Sequence, residues 1–150
     1  MENYMKLEIA ALGENESFAR SAVAAFALVL NPSLNELSDI KTAVSEAVTN
    51  CVVHAYQRAE KVGKIVIECR IQGGELHIEI TDYGCGIEDV EKAKTPFYTT
   101  LADEERSGMG FTIMQTFMDG FSLHSTRGKG TRVAMMKRIG LGEIRDRVDA

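Results

Sequence analysis

A chain of 150 residues, 45% hydrophobic and 26% charged, suits one globular domain built on a single core. A net charge of −5 argues against direct nucleic-acid binding, which needs a basic face. The longest apolar run, Ala22 to Leu30, falls far short of the ~20 residues of a membrane span, and Met1 to Tyr4 lacks the basic and apolar regions of a secretion signal.

In chain order, residues 5–11 alternate Met5, Leu7 and Ile9 with Lys6, Glu8 and Ala10, the period of a half-buried strand. A first helix is expected from about Glu14 to Leu30, ending at Asn31-Pro32. Phe18, Ala22, Ala25, Phe26 and Val29 are read as its core stripe. That leaves Ala19, Val23, Ala24, Ala27, Leu28 and Leu30 around the other sides, more apolar surface than one core contact needs. A twin subunit or a partner protein would cover it. Arg20, opposite that stripe, reads as a lone cation able to anchor an acidic partner group. Strand 5–11 is a natural edge for pairing across a dimer.

Ser33 with Glu36 makes a capping box for a second helix, expected to reach about Tyr56. Its apolar face is Leu37, Ile40, Val44, Ala47, Val48, Cys51 and Ala55. Residues 64–72 and 75–82 alternate as strands around a Gly73-Gly74 hairpin turn. A glycine loop at 82–87, a short acidic helix near 88–94 and a loop over 96–108 follow. A third long helix is expected from Gly110 to Gly120, then strands 121–126 and 131–138. The expected architecture is α+β: a two-layer sandwich with helices on one face of a mixed, mostly antiparallel sheet. One domain is expected over 1–138, with a tail over 139–150 that has no readable pattern. Cys51, Cys69 and Cys85 form no CxxC pair, which favours free thiols and a cytoplasmic location.

Four places in this order carry candidate chemistry. Glu46, Asn50 and His54 are spaced i, i+4, i+8 and stack beside the apolar face of the second helix. A carboxamide oxygen suits magnesium, and a carboxylate can take a proton from an attacking hydroxyl. Taken alone, this stripe reads first as the solvated side of a helix. Asp82-Tyr-Gly84-Cys-Gly86 follows a strand directly. Its glycines permit a sharp turn and close approach, and its aspartate can accept from an exocyclic amine. Alone it is also an ordinary turn. Cys85 between the glycines is either inert or an oxidisable group beside a ligand. Arg106-Ser107-Gly108-Met-Gly110 leads into a helix, a setting that binds phosphate but equally describes a hinge. Gly128-Lys-Gly130-Thr131 is by default a hairpin turn, with a hydroxyl at the strand's mouth.

Together these pieces resemble the N box, glycine boxes and terminal Gly-Thr of the Bergerat-fold ATPases, the superfamily of gyrase B, Hsp90, histidine kinases and MutL. The segments ENESFAR (14–20), SEAVTN (45–50), HAY (54–56) and ERSGMGFTIM (105–114) narrow the likeness. They resemble the SpoIIAB-type sporulation anti-sigma-F factors, whose near relatives are the stress-response kinases of the RsbW type. The resemblance reaches to about residue 138.

It implies an ATP- and Mg2+-dependent serine kinase. Such a protein takes ATP (or ADP), phosphorylates a small anti-anti-sigma protein and binds a sigma factor as a homodimer, from which the unphosphorylated anti-anti-sigma protein displaces it. Carried over, Glu46 becomes the general base and Asn50 the magnesium ligand. Asp82 reads adenine, helped by Thr131 through water, and Gly84, Gly86, Gly108 and Gly110 shape the pocket. Thr99, Thr100, Arg106 and Ser107 belong to a phosphate lid, and Arg20 to partner binding. Histidine-kinase, gyrase-like and MutL-like readings each require further domains. A non-catalytic, nucleotide-gated binding module and a general stress-response kinase remain as alternatives, the former disfavoured by a carboxylate at Glu46.

Overall fold

The computed structural model describes residues 2–57, 59–94 and 110–140. Strand β1 (Glu2–Ala10) leads to helix α1 (Asn15–Ala27) and a 3-10 turn at Leu28–Leu30. Asn31, at φ 56°, ends this segment in the left-handed conformation that commonly closes helices. Helix α2 (Leu34–Asn50) opens on the expected capping box. The Glu36 N–H donates to Ser33 Oγ at 3.0 Å, and the Ser33 N–H donates to Glu36 Oε1 at 2.9 Å. Strands β2 (Lys64–Gln72) and β3 (Glu75–Asp82) meet at the Gly73-Gly74 turn, with Gly73 at φ +60°. Helices α3 (Val90–Ala93) and α4 (Gly110–Phe117) and strands β4 (Gly120–Thr126) and β5 (Gly130–Arg138) complete the described elements.

The sheet runs in the order β1-β2-β3-β5-β4, with β1 and β4 at its edges. The expected two-layer α+β architecture is present, but among the described residues the sheet is antiparallel throughout rather than mixed, with four antiparallel pairings. Ile65, Ile67, Cys69 and Ile71 of β2, with Leu76, Ile78 and Ile80 of β3, point into the core. There they meet Ile40, Val44 and Val48 of α2 and Met114 of α4. Each such side chain contributes roughly 1.5–3 kcal/mol by leaving water. The outward set includes the exposed Glu68 and Arg70, so the sheet faces water on its other side.

Three expectations need correction. Strand β1 begins at Glu2, because Glu2, Asn3 and Tyr4 pair with Gln72, Ile71 and Arg70 although their side chains carry no apolar alternation. The second helix stops being α-helical at Asn50, and Cys51–Ala55 form a π-turn. The core stripe of α1 is Ala19, Val23, Ala24 and Ala27, while Phe18 is 55% exposed and Val29 44%. Small side chains allow α1 to lie close on α2, whose Ala43 and Ala47 are equally buried; phenylalanine at that seam would hold the helices apart.

Candidate functional site

A cleft opens between α2, the end of β3, the start of α4 and β5. Asn50, Asp82, Gly86, Gly110 and Thr131, all expected from sequence, line it. Glu46 stands one helical turn before Asn50, and both side chains face the start of α4. A Cβ added at Gly110 would lie 3.2 Å from Glu46 Oε2 and 3.1 Å from Asn50 Nδ2. Thus the carboxylate, the carboxamide and the helix start converge at one end of the cleft. Asp82 and Thr131, Cα partners across β3 and β5, line the same cleft.

Asp82 is buried, and its Oδ1 accepts the N–H of Gly84 at 3.0 Å and that of Thr131 at 3.2 Å. Gly84 is required by close approach: a Cβ there would collide with the Ala55 carbonyl oxygen at the end of the π-turn. The neighbouring Cys85 N–H donates to that same carbonyl at 2.8 Å. Gly86 adopts φ +76°, a conformation that side chains disfavour. The glycine loop is therefore moulded on the distorted end of α2.

Burial raises the Asp82 carboxyl above its ordinary value of 3.8, opposed by hydrogen bonds from the Gly84 N–H, the Cys51 thiol and the Thr131 N–H. Burial and the adjacent Asp82 charge together push the Cys51 thiol up. The folded state then binds the Asp82 proton more tightly than the unfolded chain does. Stability from this group is full below about 3.8 and is lost as pH rises through the raised value. In urea titrations without ligand, the stability of wild type relative to Asp82→Asn should fall across that window. A flat or rising difference would show that Asp82 is not held up by burial.

Sequence reading missed several supports. The Tyr56 hydroxyl donates to the Lys64 carbonyl at 2.6 Å and accepts the Tyr83 N–H at 2.8 Å, tying the start of β2 to the glycine loop. Cys51, Ile80, Phe111 and Val133 add apolar walls. His54 also lines the cleft, but from the π-turn rather than from a continuous α-helical stripe. Cys85 is exposed at the cleft, its Sγ 3.4 Å from the His54 carbonyl, whereas Cys69 is buried with its thiol pushed up to about 12.

Arg20 is not the lone cation expected. Its guanidinium lies 3.5 Å from Glu16 Oε1, 3.5 Å from Ser45 Oγ and 3.3 Å from Ser17 Oγ. The residue nonetheless remains partly exposed. Thr99, Thr100, Arg106, Ser107 and Gly108, with the whole expected lid over 96–108, lie outside the described residues, as do 141–150 of the tail. Ile139 is buried, and its N–H donates to the Gly74 carbonyl at 2.9 Å.

The sequence itself matches known proteins over this same span. The histidine kinase-like ATPase domain family matches residues 9–137. An anti-sigma F factor of Thermoanaerobacter sp. (strain X514) is 56% identical over 138 residues, covering 92% of this chain and 95% of the relative. The chain belongs to the anti-sigma F factor family of histidine kinase-like ATPase domains. An anti-sigma F factor of Clostridium botulinum (strain Eklund 17B / Type B) is 55% identical over 140 residues, covering 93% and 97%.

Solved structures share the fold at lower identity. The RsbU and RsbW domains of a Mycobacterium tuberculosis protein superpose with a TM-score of 0.66 at 17% identity, over 91% of this chain and 32% of that one. The histidine kinase domain of a blue-light activated kinase from Erythrobacter litoralis gives 0.57 at 18%, over 87% and 62%. The ATP-binding fold expected from the four motifs is thus present, and among the described residues no helix is long and apolar enough to cross a membrane.

Proposed function

We propose that this chain is an ATP-dependent anti-sigma factor of the cytoplasm that is also a serine protein kinase. It holds a sporulation sigma factor inactive and phosphorylates a serine of the anti-anti-sigma antagonist. The observation that carries the reading is the convergence of Glu46 and Asn50 on the start of α4, beside the cleft that Asp82 and Thr131 line. The names of the relatives supply the sigma-factor partner.

Asp82 accepts a hydrogen bond from the adenine amine, with Thr131 beside it. The nucleotide runs from there toward α4, whose N-terminal end favours phosphate. The donor set fits Mg2+, a hard ion that keeps few protein ligands and is otherwise held by phosphate and water. Asn50 would offer it a carboxamide oxygen, and the ion would supply charge neutralisation at the phosphates. Glu46 takes the proton of the attacking serine hydroxyl. The serine oxygen forms the new bond to the γ-phosphorus, and the bond to the bridging oxygen breaks, releasing ADP. Incubation with labelled ATP and candidate anti-anti-sigma proteins tests this. Stable label on a substrate serine is expected, and ATP binding without any transfer would favour the nucleotide-gated module.

Partner binding is assigned to α1. Phe18 of α1 and Leu28 and Val29 of the 3-10 turn that follows it are exposed, and β1 is an open sheet edge, which together support a homodimer. Arg20, already oriented by Glu16 and Ser45, offers its exposed part to acidic partner groups. Arg20→Glu should weaken sigma-factor and anti-anti-sigma binding by about tenfold or more while leaving ATP affinity unchanged. Unaltered affinity for both proteins in surface-plasmon titrations would remove Arg20 from the interface.

A further inference from the structure

Ser125 was not singled out by any motif, yet its hydroxyl is the hub of the Thr131 end of the cleft. It lies on β4 directly opposite Thr131 of β5. Its Oγ accepts the Ile87 N–H at 2.7 Å, lies 3.0 Å from the Gly130 carbonyl oxygen and 2.8 Å from Thr131 Oγ1. The Ile87 contact also fixes the exit of the glycine loop.

We propose that Ser125 fixes the hydrogen-bond polarity of Thr131 and thereby makes the cleft prefer a purine with a 6-amino group over one with a 6-oxo group. This rests on the nucleotide reading above. A serine hydroxyl has one proton and two lone-pair sites. The Ile87 N–H can only donate, and the Gly130 carbonyl can only accept. All three contacts are made together in one arrangement: Ser125 donates to Gly130, and the Thr131 hydroxyl donates to Ser125 Oγ. The reverse direction would leave the Gly130 carbonyl facing an oxygen lone pair at 3.0 Å.

Thr131 then turns only lone pairs toward the cleft that it lines. Its backbone N–H is spent on Asp82 Oδ1. The ionised Asp82 is itself acceptor-only. This wall therefore presents acceptors from two residues, matched by the two N–H donors of a 6-amino group. A 6-oxo group would bring a third acceptor against them.

Calorimetric titration of ATP and ITP separates this role from mere support of the loop. Wild type should prefer ATP. Ser125→Ala frees the Thr131 hydroxyl to turn and donate, so the ATP:ITP affinity ratio should fall by about fivefold to tenfold. Ser125→Thr keeps the hydroxyl and should keep the ratio. In a Thr131→Val background, Ser125→Ala should change the ratio no further. Should Ser125→Ala fail to fold, Ser125→Cys, a much weaker acceptor, carries the same expectation. Equal loss of both nucleotides, an unchanged ratio, or an effect that survives Thr131→Val would overturn the proposal while leaving adenine-nucleotide binding intact. A wild type that binds neither nucleotide would overturn both.

Discussion

Glu46→Gln should keep Mg2+-ATP binding and lose about 10²–10⁴-fold of serine phosphorylation, the usual contribution of a general base. Glutamine preserves the size and the hydrogen-bonding reach of the side chain but cannot take a proton at neutral pH. The geometry makes the experiment selective. Glu46 sits on a regular stretch of α2, beside Gly110 and one turn from Asn50, and is not at the Asp82–Thr131 wall where the base would be read. Affinity and transfer rate should therefore separate. Calorimetry with ATP, followed by single-turnover phosphorylation of the anti-anti-sigma protein, measures each. A variant that binds normally and transfers at near wild-type rate would assign the base elsewhere. If binding and transfer fall together, Glu46 holds the nucleotide rather than the proton.

The features legible in the sequence are those set by local rules. The capping box of Ser33 and Glu36 depends on two residues three apart, and the Gly73-Gly74 turn on two adjacent ones. The alternation of Ile65, Ile67 and Ile71 needs only the pleat. Features set by contact between distant segments were hidden. From Phe18 to Leu30 the only polar side chains are Arg20 and Ser21, so periodicity alone does not choose the buried side of α1. The choice falls to size, and alanines win because α2 approaches closely. The π-turn at Cys51–Ala55 has no residue signature, although it aims the Ala55 carbonyl at the glycine loop. Ser125 became visible only once β4 and β5 were in register. The ordered motifs reveal the cleft's corners, Asn50, Asp82, Gly86, Gly110 and Thr131, because each carries chemistry of its own. The supports Tyr56, Cys51 and Ser125 act through those corners; Tyr56 lies in the HAY segment and Cys51 on the apolar face of the second helix, but neither pattern shows the contact each makes.

Asp82→Ala should weaken ATP binding by roughly 1–3 kcal/mol, about fivefold to 150-fold, because a buried amine loses its acceptor. The same change orphans the N–H groups of Gly84 and Thr131, both held by Oδ1, so part of the loss would come from a loosened glycine loop. Asp82→Asn separates the two causes. Its carbonyl oxygen can still accept both N–H groups and keep the turn, while its amide turns donors toward the adenine amine. Donor would then face donor in a buried site, so Asp82→Asn should bind ATP no better than Asp82→Ala yet melt closer to wild type. Thermal melts without nucleotide and calorimetry with ATP test the pair. If Asp82→Asn binds ATP as wild type does, the carboxylate serves the loop rather than the base. If both variants bind normally, the adenine end of the cleft is not at Asp82.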